Sequence, residues 1–299
     1  MTSLHIFLDR KSIDLSEKRA VSGYVELLIP TASYVHLSTR VTGQELVYSP
    51  YDSATCFFNQ TSIPQTLQLE AGLHRIPFSL ELHRELPCSL IHRFGSIGYS
   101  VGAVALIGDL AIRAHIKFSV TKSQSKISTI YWGTTPDRKW RYELEVPKSI
   151  NLGDLSVRLT LRLKSLSPVT PKTESNGCLL GCQLWEFASV SDPEKAETQH
   201  SQSMEPYTHL LTNPSNTWSN PLDLLLPISK HHSHVDTKCE RICIKHLFHL
   251  TLAFNETADV HLDFPAIVCG EIPVAELCVR RDSANDTNEY VDEKLISSA

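Results

Sequence analysis

No apolar run in these 299 residues approaches the roughly 20 needed to cross a bilayer as a helix. The opening MTSLHIFLDRK also lacks the long apolar core of a secretory signal, so a cytosolic protein is expected. Excess positive charge is missing too. The formal net charge is −5, whereas nonspecific nucleic-acid binding needs a strongly cationic surface to displace counterions, so no nucleic-acid partner is expected. The deficit is uneven: eleven Lys and Arg stand against ten Asp and Glu over residues 1–122, and seventeen against twenty-three over the remainder. There is no nucleophile elbow, no phosphate-binding glycine loop and no HExxH helix. FGSIGY, residues 94–99, has the wrong spacing for G-x-S-x-G, and a strand context accounts for its glycines. The sequence is therefore not read as an enzyme, and no catalytic residue is assigned.

Cysteine is present but forms no framework. Cys56, Cys88, Cys269 and Cys278 are scattered among the eight, and a chain this long builds a core without disulfide staples. They are read as reduced, mostly buried small hydrophobes. The sequons at Asn59, Asn255 and Asn285 then carry no meaning, because glycosylation requires secretion.

Helical periodicity is also missing, and strand periodicity takes its place. Leu155, Val157, Leu159, Leu161 and Leu163 alternate with Ser156, Arg158, Thr160 and Arg162, a period of two that no helix uses. Residues 242–254 repeat this with Ile242, Ile244, His246, Phe248, Leu250, Leu252 and Phe254. Ile76, Phe78, Leu80 and Leu82 share one parity. A crossover marked by Pro87 then leads to Ile97, Tyr99, Val101, Ala103 and Ala105. Gly98, Ser100 and Gly102, on the other parity, are read as permitting a close approach by a neighbour. Further strands are expected over 4–8, 24–29, 34–41, 111–120, 179–187, 222–228 and 260–267.

Many short strands without intervening helices predict an all-β chain of two consecutive immunoglobulin-like antiparallel β-sandwiches. The expected division is 1–122 for the first sandwich, 123–139 for a linker, 140–281 for the second and 282–299 for an acidic disordered tail. Residues 164–177, 191–206 and 229–238 read as long mobile loops, and no repeat of solenoid length is present.

The sharpest metal candidates are His231, His232, His234, Cys239, Cys243 and His246. Zinc needs four converging ligands, yet C-x3-C is not the usual knuckle spacing, and on a strand His246 and Cys243 point to opposite faces. Cys178 and Cys182 fare no better. No metal or cofactor is assigned, and a solvated histidine loop beside a strand is favoured.

Gly72, Pro77-Phe78, Pro87 with Ser89, and Ile97, Tyr99, Val101 and Ala103 resemble, in order and spacing, the amino-terminal domain signature of the arrestin family. SGYVELLI (22–29) is similar to an earlier strand of that family, with Glu26 where glycine is usual. LEVPKSINLGDLSVRLTLRL (144–163), CQLWEF (182–187), ICIKHLFHLTLAF (242–254) and LDFPAIV (262–268) resemble the carboxy-terminal arrestin domain. The nearest branch is the fungal and alpha-arrestin one, and the match covers most of residues 4–280.

The resemblance implies the arrestin fold and a non-enzymatic cytoplasmic trafficking adaptor, peripherally recruited to plasma membrane or endosomes. Such an adaptor binds cytoplasmic regions of membrane transporters or receptors and promotes their ubiquitin-linked endocytosis or sorting. The implied HECT-type ubiquitin ligase is normally recruited through PPxY or LPxY. Neither occurs, because Pro50-Tyr51 and Pro206-Tyr207 are directly adjacent. The resemblance favours a hydrogen-bonded core role for His246. It also implies that basic residues after the first strand meet acidic or phosphorylated tails, which makes Arg10, Lys11, Lys18, Arg19, Arg113 and Lys117 the candidate partner-binding set. Two other readings stay open: a retromer-like sorting-coat subunit, and a metal- or ligand-binding β-sandwich.

Overall fold

The computed structural model describes residues 2–270, apart from 49–52, 125–126, 136–137, 139, 155, 167–176, 192–195, 203–208, 213–217, 228–233 and 255–258. The tail expected over 282–299, the two Pro-Tyr pairs, His231 and His232 lie outside the described residues. Every regular element described is a strand, and no helix among the described residues is long and apolar enough to cross a membrane. The described cysteines Cys56, Cys88, Cys182, Cys239, Cys243 and Cys269 are all free thiols.

The first half contains β1 (Ser3–Leu8), β2 (Ser12–Asp14), β3 (Ala20–Ile29), β4 (Ser33–Val47), β5 (Ser53–Thr61), β6 (Gln65–Leu69), β7 (Gly72–Glu81), β8 (Leu90–His92), β9 (Gly95–Ile107) and β10 (Leu110–Thr121). After β11 (Ser128–Thr134) come β12 (Trp140–Pro147), β13 (Ser149–Asn151), β14 (Ser156–Ser165), β15 (Gly177–Ser191) and β16 (Ala196–Gln202). The chain continues through β17 (His209–Thr212), β18 (Leu222–Pro227), β19 (Thr237–Lys238), β20 (Ile242–Phe254) and β21 (Val260–Cys269).

The pairing order is built twice. A small sheet β1-β3-β7 accompanies a larger one, β2-β10-β9-β4-β5, with β6 on β4 and β8 on β9. The second half repeats every one of these pairings eleven labels later: β12-β14-β18, then β13-β21-β20-β15-β16, with β17 on β15 and β19 on β20. Even the exception recurs, since β2 runs parallel to β10 and β13 parallel to β21 while the other pairs are antiparallel. The repeat is one of topology, carried by sequences with no visible period. In each half the small and large sheets close around a buried apolar cluster, which is the packing of a β-sandwich.

Three expectations change. The stretch expected as a linker, 123–139, contains β11, which pairs with Arg141–Pro147 of β12 and widens the small sheet. The loop expected over 191–206 contains β16, paired with β15. The glycine reading also moves. A Cβ at Gly98 would meet nothing within 4 Å, and one at Gly102 would make only ordinary contacts, so neither marks a close approach. Gly95 does, since a Cβ there would lie 2.2 Å from the Leu46 carbonyl oxygen and 2.7 Å from the Ile242 side chain.

The Ile242 contact crosses between halves. Ala188, Val235, Ile242 and Ile244, all from the second half, belong to the buried cluster of the first. The crossover marked by Pro87 is buried from Leu86 to Leu90, and Thr237 of the second half bonds to it. Within it, the Tyr99 hydroxyl donates to the Pro87 carbonyl at 2.6 Å and the Thr237 hydroxyl to the Cys88 carbonyl at 3.3 Å. These bonds satisfy groups that burial would otherwise strand.

Candidate functional site

The junction holds two carboxylates that its apolar surroundings would expel unless they were partnered. Glu45, on β4, is completely buried. It is fixed just beyond a β-bulge, where Phe57 of β5 is the extra residue facing Gly43 and Gln44 and packs edge-on against Tyr99. Its partners come from the other half: the Ile242 amide donates to it at 2.7 Å and the Arg241 amide reaches both oxygens at 3.1 Å. The Arg241 guanidinium in turn donates to Ser53. A single charge therefore ties β4 and β5 to the start of β20.

Glu186 is the second carboxylate, 2% exposed, on the inward parity of β15 between Leu184 and Ala188. Three imidazoles surround it. His234 approaches with Nδ1 at 3.0 Å while its backbone amide donates at 2.9 Å; His246 Nε2 stands at 3.2 Å and His92 Nε2 at 3.7 Å. His246 is itself held from behind by Asp236 at 2.5 Å, and the same Asp236 oxygen accepts the Val268 amide at 2.9 Å. Burial alone would raise the Glu186 pKa, but the contacts from His234, His246 and His92 outweigh it and hold the carboxyl well below the usual carboxylate range. Burial would lower that of His246, yet Asp236 and Glu186 reverse this and keep it above an ordinary histidine. His246 is thus a fully buried, doubly hydrogen-bonded histidine between two acids.

The loop cluster weighed for metal is divided by this geometry. His234 and His246 both reach Glu186, whereas Cys243 lies on the opposite face of β20 from Ile244, His246 and Phe248. Burial and nearby Glu45 push the Cys239 thiol up to about 12, so it stays protonated. Two residues that sequence reasoning did not assign complete the cluster. Glu186 carried a signal, a carboxylate on the apolar parity of LWEF. His92 carried almost none, because it ends a three-residue strand and meets the cluster only after the halves dock.

The six candidate partner-binding residues are only partly gathered. Arg10 and Lys11 are exposed, and the Lys11 carbonyl accepts the Ser119 amide at 2.9 Å, which sets them beside the end of β10 near Lys117. Lys18 and Arg19 occupy the turn before β3, where Lys18 reaches Ser22 at 3.3 Å and Ser22 donates to Asp9, placing an acid among these cations. Arg113 lies four residues from Lys117 along β10, roughly 13 Å at the rise of a strand.

The chain matches no protein-family model and no curated protein sequence.

Proposed function

We propose that this chain is an arrestin-like, non-enzymatic trafficking adaptor that binds cytoplasmic regions of membrane proteins and directs their ubiquitin-linked endocytosis or sorting. The observation that carries the reading is the ten-strand order built twice and joined by a buried junction, because this is the tandem sandwich that the residue resemblance implies. Sandwiches serve many functions, so the binding surface has to be argued separately. Arg10, Lys11 and Lys117 supply grouped cations on the less acidic half. Trp132 and Ile130, 81% and 56% exposed on edge strand β11, add an apolar contact of the kind protein partners use.

The test is a titration of an acidic or phosphorylated cytoplasmic-tail peptide at two salt concentrations. Reversing Arg10 and Lys11 together to Glu is expected to weaken binding while leaving the thermal midpoint nearly unchanged, because exposed charges contribute only about 0–1 kcal/mol each to stability. Binding by the unmodified chain should also fall as the Debye length shortens to about 8 Å at physiological salt. Equal affinities under all conditions would refute the patch. Affinity capture from cytosol followed by mass spectrometry tests the adaptor role itself: transporters or ubiquitin-system proteins are expected, and recovery of coat subunits alone would overturn it.

A further inference from the structure

We propose that His92, Glu186 and His234 form a binding site for a divalent transition-metal ion of the zinc class, placed so that the ion pins the two halves of the chain together. His92 Nε2, His234 Nδ1 and a Glu186 oxygen all lie within 4.8 Å of one another. Zinc takes nitrogen ligands at about 2.0–2.1 Å and carboxylate oxygen at about 2.0–2.2 Å, so ligands around one ion stand roughly 3.3–3.6 Å apart. Two of the separations are already close to this: Glu186 Oε1 is 3.1 Å from His234 Nδ1 and 3.7 Å from His92 Nε2.

The surroundings are those a ligand set needs. Glu186 Oε1 faces His92 and His234, while Oε2, 3.0 Å from the same His234 nitrogen, also accepts from the His234 amide and stands by His246, which Asp236 anchors in turn. Such outer contacts orient ligating groups, and losing one typically weakens metal binding about 10- to 100-fold. His234 remains 29% exposed at its side chain, so an ion can approach from that side and solvent can supply a fourth ligand. Two imidazoles and one carboxylate match the donor set of zinc sites that keep an open position. One contact must change on loading. The Phe94 amide now donates to His92 Nδ1 at 3.3 Å, whereas a metal on Nε2 leaves the proton on Nδ1, so that amide has to turn away.

The experiment uses the full chain without a histidine tag, freed of metal with a chelator and then titrated with zinc, and separately with cobalt as a spectroscopic substitute. Binding of a single equivalent is expected, together with a rise in thermal midpoint and a visible cobalt spectrum of low-coordinate type. His92→Ala and His234→Ala should each weaken zinc binding by at least about tenfold. His249→Ala, at a histidine on the opposite face of β20 from His246 and outside the cluster, should leave it unchanged. Circular dichroism identifies any variant that fails to fold, and His234, the least buried ligand, provides the variant best placed to remain folded. The Phe94 amide resonance should move on zinc addition in the unmodified chain. Absence of zinc binding by the folded chain, or equal affinity in folded His234→Ala, would overturn the proposal.

Discussion

Replacing Glu45 with alanine is expected to cost about 2–6 kcal/mol of folding stability, about 1–3 for each of two stranded amides and far more than for any exposed acid in the chain. The substitution strands the Arg241 and Ile242 amides, whose shared acceptor is completely buried, and removes the carboxylate that ties them to β4. Glu45→Gln keeps one acceptor oxygen for the short Ile242 bond but turns an amide N–H₂ toward Arg241, so a loss of about half that size is expected. Glu26→Ala is the control. Glu26 pairs with Arg75 at 3.0 Å on the outer side of the small sheet, where such a pair is worth only about 0–1 kcal/mol. Urea unfolding of the three variants separates the cases, and a Glu45→Ala loss no larger than that of Glu26→Ala would show that the junction is not closed as described.

The long strands were legible because each buries one face and wets the other. β7, β9, β14 and β20 all carry the alternation that placed them. Elements without that contrast were not found. β2, β8, β13 and β19 are two or three residues long, too short to show any period, and they exist because a neighbouring strand offers them partners. β5 hides its pattern in a bulge, where the extra Phe57 shifts parity halfway along. β16, AETQHSQ, has no apolar face to reveal it.

The junction was the least legible part for a related reason. A proline-marked run such as LPCSLIHRF looks like a surface connection when its own half is considered alone, and its burial is decided by residues about 150 positions later. Glu186 stands on an apolar parity in the sequence and Glu45 lies beyond the strand expected over 34–41, and nothing local shows that the first collects three imidazoles and the second two amides from the far half. The spacing of the histidines shows only a loop cluster. Only docking selects His234 and His246 from it and adds His92.

Gly95→Ala should be among the most damaging single-carbon additions in the chain, with an expected loss of more than about 3 kcal/mol. The added Cβ would stand 2.2 Å from the Leu46 carbonyl oxygen, a backbone atom locked into the β4–β9 ladder, so it cannot swing aside as a side chain does. It would also press on Ile242 at 2.7 Å and thereby push the two halves apart. Ile242→Val in the Gly95→Ala background should recover only the second of these conflicts. The double variant is therefore expected to be less unstable than the two separate losses combined, but far from restored, given that Ile242→Val alone costs about 0.5–1.5 kcal/mol. Gly98→Ala is the informative comparison. It lies on the same strand at an unstrained backbone position with nothing within 4 Å of the new carbon, so it should be neutral or gain up to about 1 kcal/mol from reduced freedom of the unfolded chain. Because the first half's core runs on into Val235, Ile242 and Ile244, Gly95→Ala should lower one shared thermal transition. An early transition confined to half the signal, or equal stability of Gly95→Ala and Gly98→Ala, would show that the halves do not close on Gly95.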